Sequence, residues 1–544
     1  MTHPTTLTEA TVAALLAAQG YEVPDDDLSE IAQNVNRLVD QARTWDAVAV
    51  RADEPWPVWP TSLMDAVATA AGREPQSAPE PDVDLAFASA TEQARRFRSG
   101  EATPLELVRT YLERIERLNP SLHAFVTVCA DDALRAAEVA TEELRSGRAI
   151  APLHGVPFGV KDQMLVEGVR VTGGSRLLAE HVAERDATVI ARLKAAGAIF
   201  LGTLNTHEFH TGMTRNPPHG EVRNPWNQGR SPGASSSGPA AAVAAGLCSF
   251  SLGGDTGGSI RGPAAFCNLV GVKPTWGRVP RDGVFPLYWA SDCVGPLARS
   301  ARDAALVTEV IAGSDPRDPT SSTEPVPDYA ARLGGDLTGV RVGVVEELMD
   351  PAGANAETLA AVASAVDVLR ELGADVRRVS VPLLRYAQQV NNTLVAADAA
   401  SYYRTWLLER YADFDANTRV GYLAGAAVPA GVVALAGRMR TTITRQVMAA
   451  FGDADVLVGP AADAAGPLRP VPPSADAPAP YKTPLPQSFS LAGVPALAVP
   501  CGFTTEALPL GMTLATRHFD EATLFRTAHA YERATPWHTR WPNA

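Results

Sequence analysis

Lysine is nearly absent from this chain. Its 544 residues include 47 lysines and arginines, and only four of these are lysines: Lys161, Lys194, Lys273 and Lys482. Arginine serves wherever a fixed positive charge suffices, so a retained lysine points to something arginine cannot do. Lysine can lose its proton when buried, whereas arginine effectively never does. Positive charge as a whole is in deficit. The formal net charge of −14 argues against a broad nucleic-acid footprint and against binding to anionic membrane surfaces. Cysteines are few: Cys129, Cys248, Cys267, Cys293 and Cys501 are scattered and odd in number. They form no disulfide framework and no metal-type or redox pair, and read as reduced residues of a cytoplasmic protein. Long apolar runs are lacking too. The only early one, 12–18, ends at Gln19-Gly20, so neither a secretory signal nor a membrane span is expected. His207 and His210 have a helical metal-ligand spacing but no third ligand in view, so no metal is expected.

What the chain does have is a segment, 233–261, rich in serine and glycine. It reads Gly-Ala-Ser-Ser-Ser-Gly-Pro, then an alanine run, then Leu-Cys-Ser-Phe-Ser-Leu-Gly-Gly, then Asp-Thr-Gly-Gly-Ser-Ile-Arg. Two serine loops, at 235–237 and at Ser259, flank one short helix and one short strand. Pro239 suits the first turn of that helix, and 249–252 alternates like a strand before Gly253-Gly254. A serine hydroxyl is a poor nucleophile until a neighbour takes its proton. The backbone N–H groups of Thr256, Gly257, Gly258 and Ser259 are placed to hold a developing oxyanion. The pattern suggests acyl transfer. The missing base falls to Lys161, which follows the apolar run 156–160 as the end of a buried strand would. A structural lysine paired with Asp162 is the other reading, and both stand at this point.

Around these residues the chain resembles the amidase signature family. The matching stretches are Pro-Leu-His-Gly-Val-Pro-Phe-Gly-Val-Lys-Asp at 152–162, Gly-Thr-Leu-Asn-Thr-His-Glu-Phe at 202–209, Arg-Asn-Pro-Trp at 223–226, and the serine loop at 233–238. They continue with Gly-Gly-Asp-Thr-Gly-Gly-Ser-Ile-Arg at 253–261, Lys-Pro-Thr-Trp-Gly at 273–277, Asp-Cys-Val-Gly-Pro at 292–296 and Gly-Val-Pro-Ala-Leu-Ala-Val-Pro at 493–500. The likeness covers roughly residues 85 to 540. It implies a Ser–cis-Ser–Lys triad, with Ser259 as nucleophile, Ser235 as the bridging serine after a cis Ala234–Ser235 bond, and Lys161 as base. It also implies that Ser236 helps fix Lys161 and the nucleophile turn, and that His210, Thr211 and Gly212 line the leaving-group side of the pocket. The serine loop departs from the family's Gly-Gly-Ser-Ser-Gly-Gly-Ser, since Ala234, Ser237 and Pro239 replace two glycines and a serine.

Three regions are expected: a small N-terminal α-helical domain at 1–60, a linker at 61–84, and a catalytic domain at 85–544. Helical periodicity marks 8–18 and 27–45, and 61–72 reads as one short helix. Alternating helix and strand signals after Ala86 give an α/β class. The resemblance sharpens this to an amidase-signature fold, a large mixed β-sheet covered by helices on both faces. A helix from Pro104 is expected to end at Leu118, before Asn119-Pro120. The stretch 395–411 reads as one helix whose Tyr402, Tyr403, Trp406 and Tyr411 are core residues, with room for one or two to face an acyl pocket. Residues 467–486 read as a proline-rich surface loop.

Asp255 and Arg261 flank the nucleophile turn and are read as pinning it. Asp292 is read as a buttress. Gly229-Arg-Ser-Pro-Gly233 matches the Gly-x-Ser-x-Gly elbow only formally, because no strand precedes Ser231 and Pro232 follows it. The expected function is hydrolysis of a small-molecule linear amide through an acyl-enzyme, with no cofactor and with a homodimer possible. Two alternatives remain: a glutaminase subunit of a tRNA-dependent amidotransferase, and a catalytically silent binding protein on the same scaffold.

Overall fold

The computed structural model describes residues 6–45, 84–148, 151–212, 214–215, 217–351, 353–462, 466 and 487–543. The short helix at 61–72, most of the linker and the proline-rich loop at 467–486 lie outside the described residues. Eleven strands form one mixed sheet: β1 (Phe125–Val128), β2 (Pro157–Lys161), β3 (Ile199–Leu204), β4 (Phe250–Asp255), β5 (Val270–Lys273), β6 (Cys293–Ala298), β7 (Arg341–Val345), β8 (Asp375–Val379), β9 (Val456–Pro460), β10 (Ala496–Phe503) and β11 (Pro509–Thr516). Their order is β1-β3-β2-β4-β6-β5-β10-β11-β9-β7-β8. The chain is thus α/β with helices interleaved along the sheet.

The topology explains why one strand end becomes a site. β2 runs parallel to both β3 and β4, so it has no free edge. All five of its residues are buried. Such a strand reads as a continuous apolar run, which is what 156–160 shows. Gly159 belongs in it because a Cβ there would lie 2.7 Å from Leu204 Cδ1. β4 ends beside β2 and pairs antiparallel with β6, Asp255 opposite Cys293. The ends of β2 and β4 therefore bring Lys161 and the Asp255–Ser259 turn to the same region.

A second core lies in a helical lobe made by Ala387–Tyr402, Ala416–Ala427 and Ala430–Ala450. The N-terminal helices Glu9–Ala17 and Asp25–Trp45 pack on this lobe and share its core. They bury Val12, Leu16, Ile31, Val35, Val39 and Trp45 against it. Polar ties fix the contact: Arg419 Nε donates to Asp27 at 2.8 Å, and the Tyr411 hydroxyl donates to the same carboxylate at 2.7 Å. Trp45 Nε1 donates to Gln389 Oε1 at 3.2 Å.

Two helix expectations need correction. The helix from Pro104 continues through Pro120 to Leu122 and ends on His123, at φ 52°. A proline near the last turn removes one hydrogen bond there without stopping the preceding turns. Thr103 opens this helix with a full capping box to Glu106. The single helix read at 395–411 is really the end of Ala387–Tyr402 followed by a separate Arg404–Glu409, broken at Tyr403. Tyr403 is tethered instead, its hydroxyl donating to Pro286 O at 2.5 Å.

Candidate active site

Lys161 ends β2 with no exposed surface. Its Nζ donates to Ser235 Oγ at 2.8 Å. Burial lowers the lysine pKa from 10.5 to about 7, and the nearby Asp255 and Asp292 carboxylates only partly oppose this. A neutral amine in this position can reverse the contact and accept the Ser235 proton. The pairing of Lys161 with Asp162 does not form. The Asp162 carboxyl instead receives the Thr172 backbone N–H at 3.1 Å and the Thr172 hydroxyl. Burial pushes that carboxyl up to about 7.

The Ala234–Ser235 peptide is cis. The Ser235 carbonyl accepts from Thr206 Oγ1 at 3.0 Å, which anchors the bridging serine to the segment after β3. Ser236 reaches the nucleophile turn rather than Lys161. Its N–H donates to the Ser259 carbonyl at 3.3 Å, and its hydroxyl donates to Gly254 O at 3.2 Å. These two bonds dock the serine loop on the Ser259 turn. The helix Ser237–Ala244 that follows is buried along its whole length. Gly238 lets it approach Asn205 and Ala124, since a Cβ there would lie 2.5 Å from the Asn205 backbone.

Asp255 organises the turn itself. Its carboxylate accepts the Gly258 N–H at 2.8 Å and the Ile260 N–H at 3.2 Å. It also takes Arg261 Nε at 3.1 Å, Arg261 Nη2 at 3.0 Å and the Ser490 hydroxyl at 3.2 Å. Both side chains of the Asp255–Arg261 pair are wholly buried. Burial alone would raise the Asp255 pKa, but the Arg261 charge and the converging donors hold it down at about 2. Arg261 Nη1 alone is left without a partner among the described residues, and a buried pair of this kind fixes geometry more than it adds stability.

This arrangement revises the expected oxyanion donors. The Gly258 N–H is committed to Asp255, and Gly258 sits at φ 110°, a conformation that suits glycine. The N–H groups of Thr256, Gly257 and Ser259 meet no acceptor among the described residues, so three donors rather than four remain for a ligand oxygen. Thr256 is braced separately. Its hydroxyl donates to Asp292 at 2.5 Å, and its carbonyl accepts from Ser291 Oγ at 2.7 Å. Ser259 is half-buried at the start of this surface.

Phe209 anchors the segment that presents His210. The Phe209 ring stacks 4.5 Å from Tyr403 inside the lobe core. Phe209 and His210 both have positive φ, at 40° and 67°, and the turn they make points His210 into a cavity of about 230 Å³ beside the Ser259 turn. Burial, with the Lys161 charge adding to it, holds His210 well below 6.5, so the ring is neutral. Thr211 N–H closes the turn on Glu208 O. A Cβ on Gly212 would lie 3.8 Å from Ala234 Cβ, which puts this segment against the residue before Ser235. His207 accepts the Thr214 N–H. Ser231 lies in a loop and its hydroxyl accepts the Gly233 N–H, so the Gly-x-Ser-x-Gly match forms no elbow.

Reading the sequence missed Ser490, Ser291 and Thr206. Each is an ordinary hydroxyl distant in sequence from the turn it supports, and spacing gives no signal for it. Gln163, Arg281 and Trp289, which line the cavity, were missed as well.

A buried lysine on a serine, docked on a turn of unpaired N–H groups that carries a second serine, has the parts that acyl transfer needs. Comparison with known proteins agrees: residues 106–525 match the Amidase family model, and this chain belongs to the amidase signature family. It is 42% identical over 472 residues to a Glutamyl-tRNA(Gln) amidotransferase subunit of Roseiflexus sp. (strain RS-1), covering 82% of this chain and 96% of that protein. Among solved structures, one from a vestigial protein complex bearing on the origins of an s-triazine catabolic enzyme superposes with a TM-score of 0.77 at 31% identity, covering 82% of this chain and 98% of the other. A peptide amidase bound to the competitive inhibitor chymostatin superposes at 0.73 with 31% identity, covering 84% and 99%.

Proposed function

We propose that this chain hydrolyses a carboxamide through an acyl-enzyme on Ser259. Neutral Lys161 takes the proton of Ser235, and Ser235 takes that of Ser259 as its Oγ attacks the carbonyl carbon. The N–H groups of Thr256, Gly257 and Ser259 hold the oxyanion as the tetrahedral intermediate forms. The relayed proton then passes to the leaving nitrogen and the C–N bond breaks. Water attacks the ester by the same relay and frees the acid and Ser259. The observation that carries this reading is the 2.8 Å contact between Lys161 Nζ and Ser235 Oγ, buried and docked on the Ser259 turn.

The sequence relatives support glutamine as the amide donor and favour a glutaminase component that works with other subunits on glutamyl-tRNA(Gln). The peptide amidase likeness supports a free-standing hydrolase, and the N-terminal helices seated on the lobe favour it too. One experiment separates the two. Ammonia release from L-glutamine is measured with the protein alone and with added partner subunits and glutamyl-tRNA(Gln), beside a panel of simple aliphatic, aryl and ureide amides. Glutamine turnover that rises only with the partners assigns the subunit role. Turnover of simple amides by the protein alone assigns the free-standing enzyme. Loss of every activity in Ser259→Ala is expected in either case. The cytoplasm is the proposed location, because the scattered cysteines suit a reducing compartment.

A further inference from the structure

We propose that the cavity beside the Ser259 turn selects substrates by a flat group stacked at its mouth on Trp289 and Tyr402. The inference uses the acyl-transfer reading only to place the reacting amide at the cavity floor; it does not depend on glutamine. Floor and mouth differ in character. The floor holds Gly254, Asp255 and Thr256 with His210 and Gln163. His210 Nε2 and Gln163 Oε1 are buried there with no partner among the described residues, which leaves hydrogen-bonding capacity at the amide end.

The mouth carries the aromatics. Seven large hydrophobic residues are exposed among those described, and five are aliphatic and scattered. The two aromatic ones, Trp289 at 44% and Tyr402 at 48% exposure, both line this one cavity. Single exposed apolar residues are ordinary, but two large rings on one concave surface mark a binding site.

Trp289 is also held rigid. Its backbone N–H donates to Asp398 at 2.8 Å. Its carbonyl accepts from Arg281 Nη1 at 2.8 Å and from Trp276 Nε1 at 3.2 Å. The Arg281 guanidinium lies over the Trp289 ring, 5.2 Å from its centroid, and over Trp276 at 5.5 Å. One face of Trp289 is thus covered by a cation while the ring stays accessible. Asp398 and Tyr402 stand one turn apart on Ala387–Tyr402, so the helix that anchors Trp289 also presents Tyr402. A ring on a tethered backbone, backed on one face by a cation, loses less freedom when a ligand stacks on it.

Charged groups surround the two rings. Arg281 is engaged by the Trp289 carbonyl and Thr320 Oγ1, and Arg317 pairs with Asp282 and Asp315. Asp282 also pairs with Arg185, and Asp318 accepts from the Arg281 N–H and from Thr320. Arg185, Asp282, Arg317 and Asp315 are matched in charge, whereas Arg281 and Asp318 are met by neutral groups and Arg281 Nε has no partner among the described residues, so the rings and not the charges carry the selection. An aryl carboxamide fits both ends.

Benzamide and cyclohexanecarboxamide share a carbon count and differ in flatness. Their affinities for the Ser259→Ala protein, measured by calorimetry, test the proposal without turnover. Benzamide is expected to bind about tenfold more tightly, the scale of two ring contacts. Trp289→Leu and Tyr402→Leu should each remove most of that ratio, and Trp289→Phe should keep it. Both rings are exposed, so neither change empties the core. Equal affinity for the two amides, no binding of benzamide, or an unchanged ratio in both leucine variants overturns the proposal. If a fluorophosphonate fails to label Ser259 while the benzamide preference persists, the acyl-transfer reading falls and the stacking site stands.

Discussion

The pKa of Lys161 decides whether the relay works, and its consequence can be sized. At its ordinary pKa of 10.5 a lysine is only about 0.3% neutral at pH 8; at about 7 it is roughly 90% neutral. Burial therefore raises the population of the competent base by about 300-fold. The required form is the deprotonated one, so the rate rises with pH through about 7 and is flat above, with pH 6 about tenfold below the plateau. His210, held well below 6.5, is neutral through the rise near 7, whereas the Asp162 carboxyl beside Lys161, pushed up to about 7, titrates in the same window and an Asp162→Asn control separates the two. The assay is the second-order rate of Ser259 fluorophosphonylation from pH 5.5 to 9.5, which needs no known substrate. Lys161→Arg keeps a charge but cannot accept a proton, and Lys161→Met keeps the length alone. Both are expected to lose about 10³-fold in rate. Stability supplies an independent reading. Between about pH 7 and 10.5 the unfolded chain binds the lysine proton and the folded chain does not, so the lysine's own contribution to stability rises with pH across that window, opposed above about 9 by the buried Cys248, Cys267 and Cys501 thiols, whose pKa values burial raises. Lys161→Met should flatten this slope and gain on the order of a few kcal/mol relative to wild type near pH 7. A flat rate profile from pH 6 to 9, or Lys161→Arg at most of the wild-type rate, would refute the neutral-base mechanism.

Asp255→Asn should cost about 3–5 kcal/mol in chemical denaturation, because it leaves the wholly buried Arg261 charge without its partner. Ser490→Ala removes one bond from each member of that pair and should cost about 1–2 kcal/mol while slowing Ser259 labelling. Peptide mapping after fluorophosphonate treatment should find the adduct on Ser259; an adduct on Ser231 would overturn the assignment. A chain starting at Asp84 should still label at Ser259 but lose solubility or melt earlier, since it bares the lobe surface that Trp45 and Val35 cover. Complete loss of labelling in a folded truncation would show that the N-terminal helices shape the site.

Local chemistry was legible because its signals are local. The apolar approach to Lys161, the glycines of the 253–258 turn and the start of the helix at Pro104 are each written within a few residues, and Thr103 caps that helix. The short strands β1, β5, β6 and β8 were not foreseen. β8 alternates weakly, and its Arg377 and Arg378 stay exposed at a sheet edge, so no hydrophobic pattern marks it. The Gly258 N–H was counted among the oxyanion donors because a glycine turn shows how many N–H groups it has, not which way each points. Only the Asp255 carboxylate, folded back on its own turn, shows that one of them is already used.

The same limit governs specificity. Lys161, Ser235 and Ser259 are held by β2, β4 and the helix between the serine loops, elements close together in the sequence and in the sheet. The cavity mouth is assembled instead from three distant pieces: the loop carrying Arg281 and Trp289, the loop carrying Arg317 and Asp318, and the lobe helix carrying Asp398 and Tyr402. None of these pieces has a motif, and each depends on how the lobe sits over the sheet. Phe209 couples the two parts, because its ring is packed in the lobe core while the next residue, His210, lines the cavity. Phe209→Ala should therefore act through position rather than contact. It removes a ring that is wholly buried and should cost about 3–5 kcal/mol. In the protein that remains folded, Ser259 labelling by a small fluorophosphonate should change little while benzamide affinity falls, because Lys161 ends β2 and holds Ser235 directly, and Thr206 holds it from the end of β3, whereas His210 follows Phe209 in the turn. Equal losses in both measurements would mean that lobe and sheet form one rigid site, and that substrate choice cannot be altered without altering the chemistry.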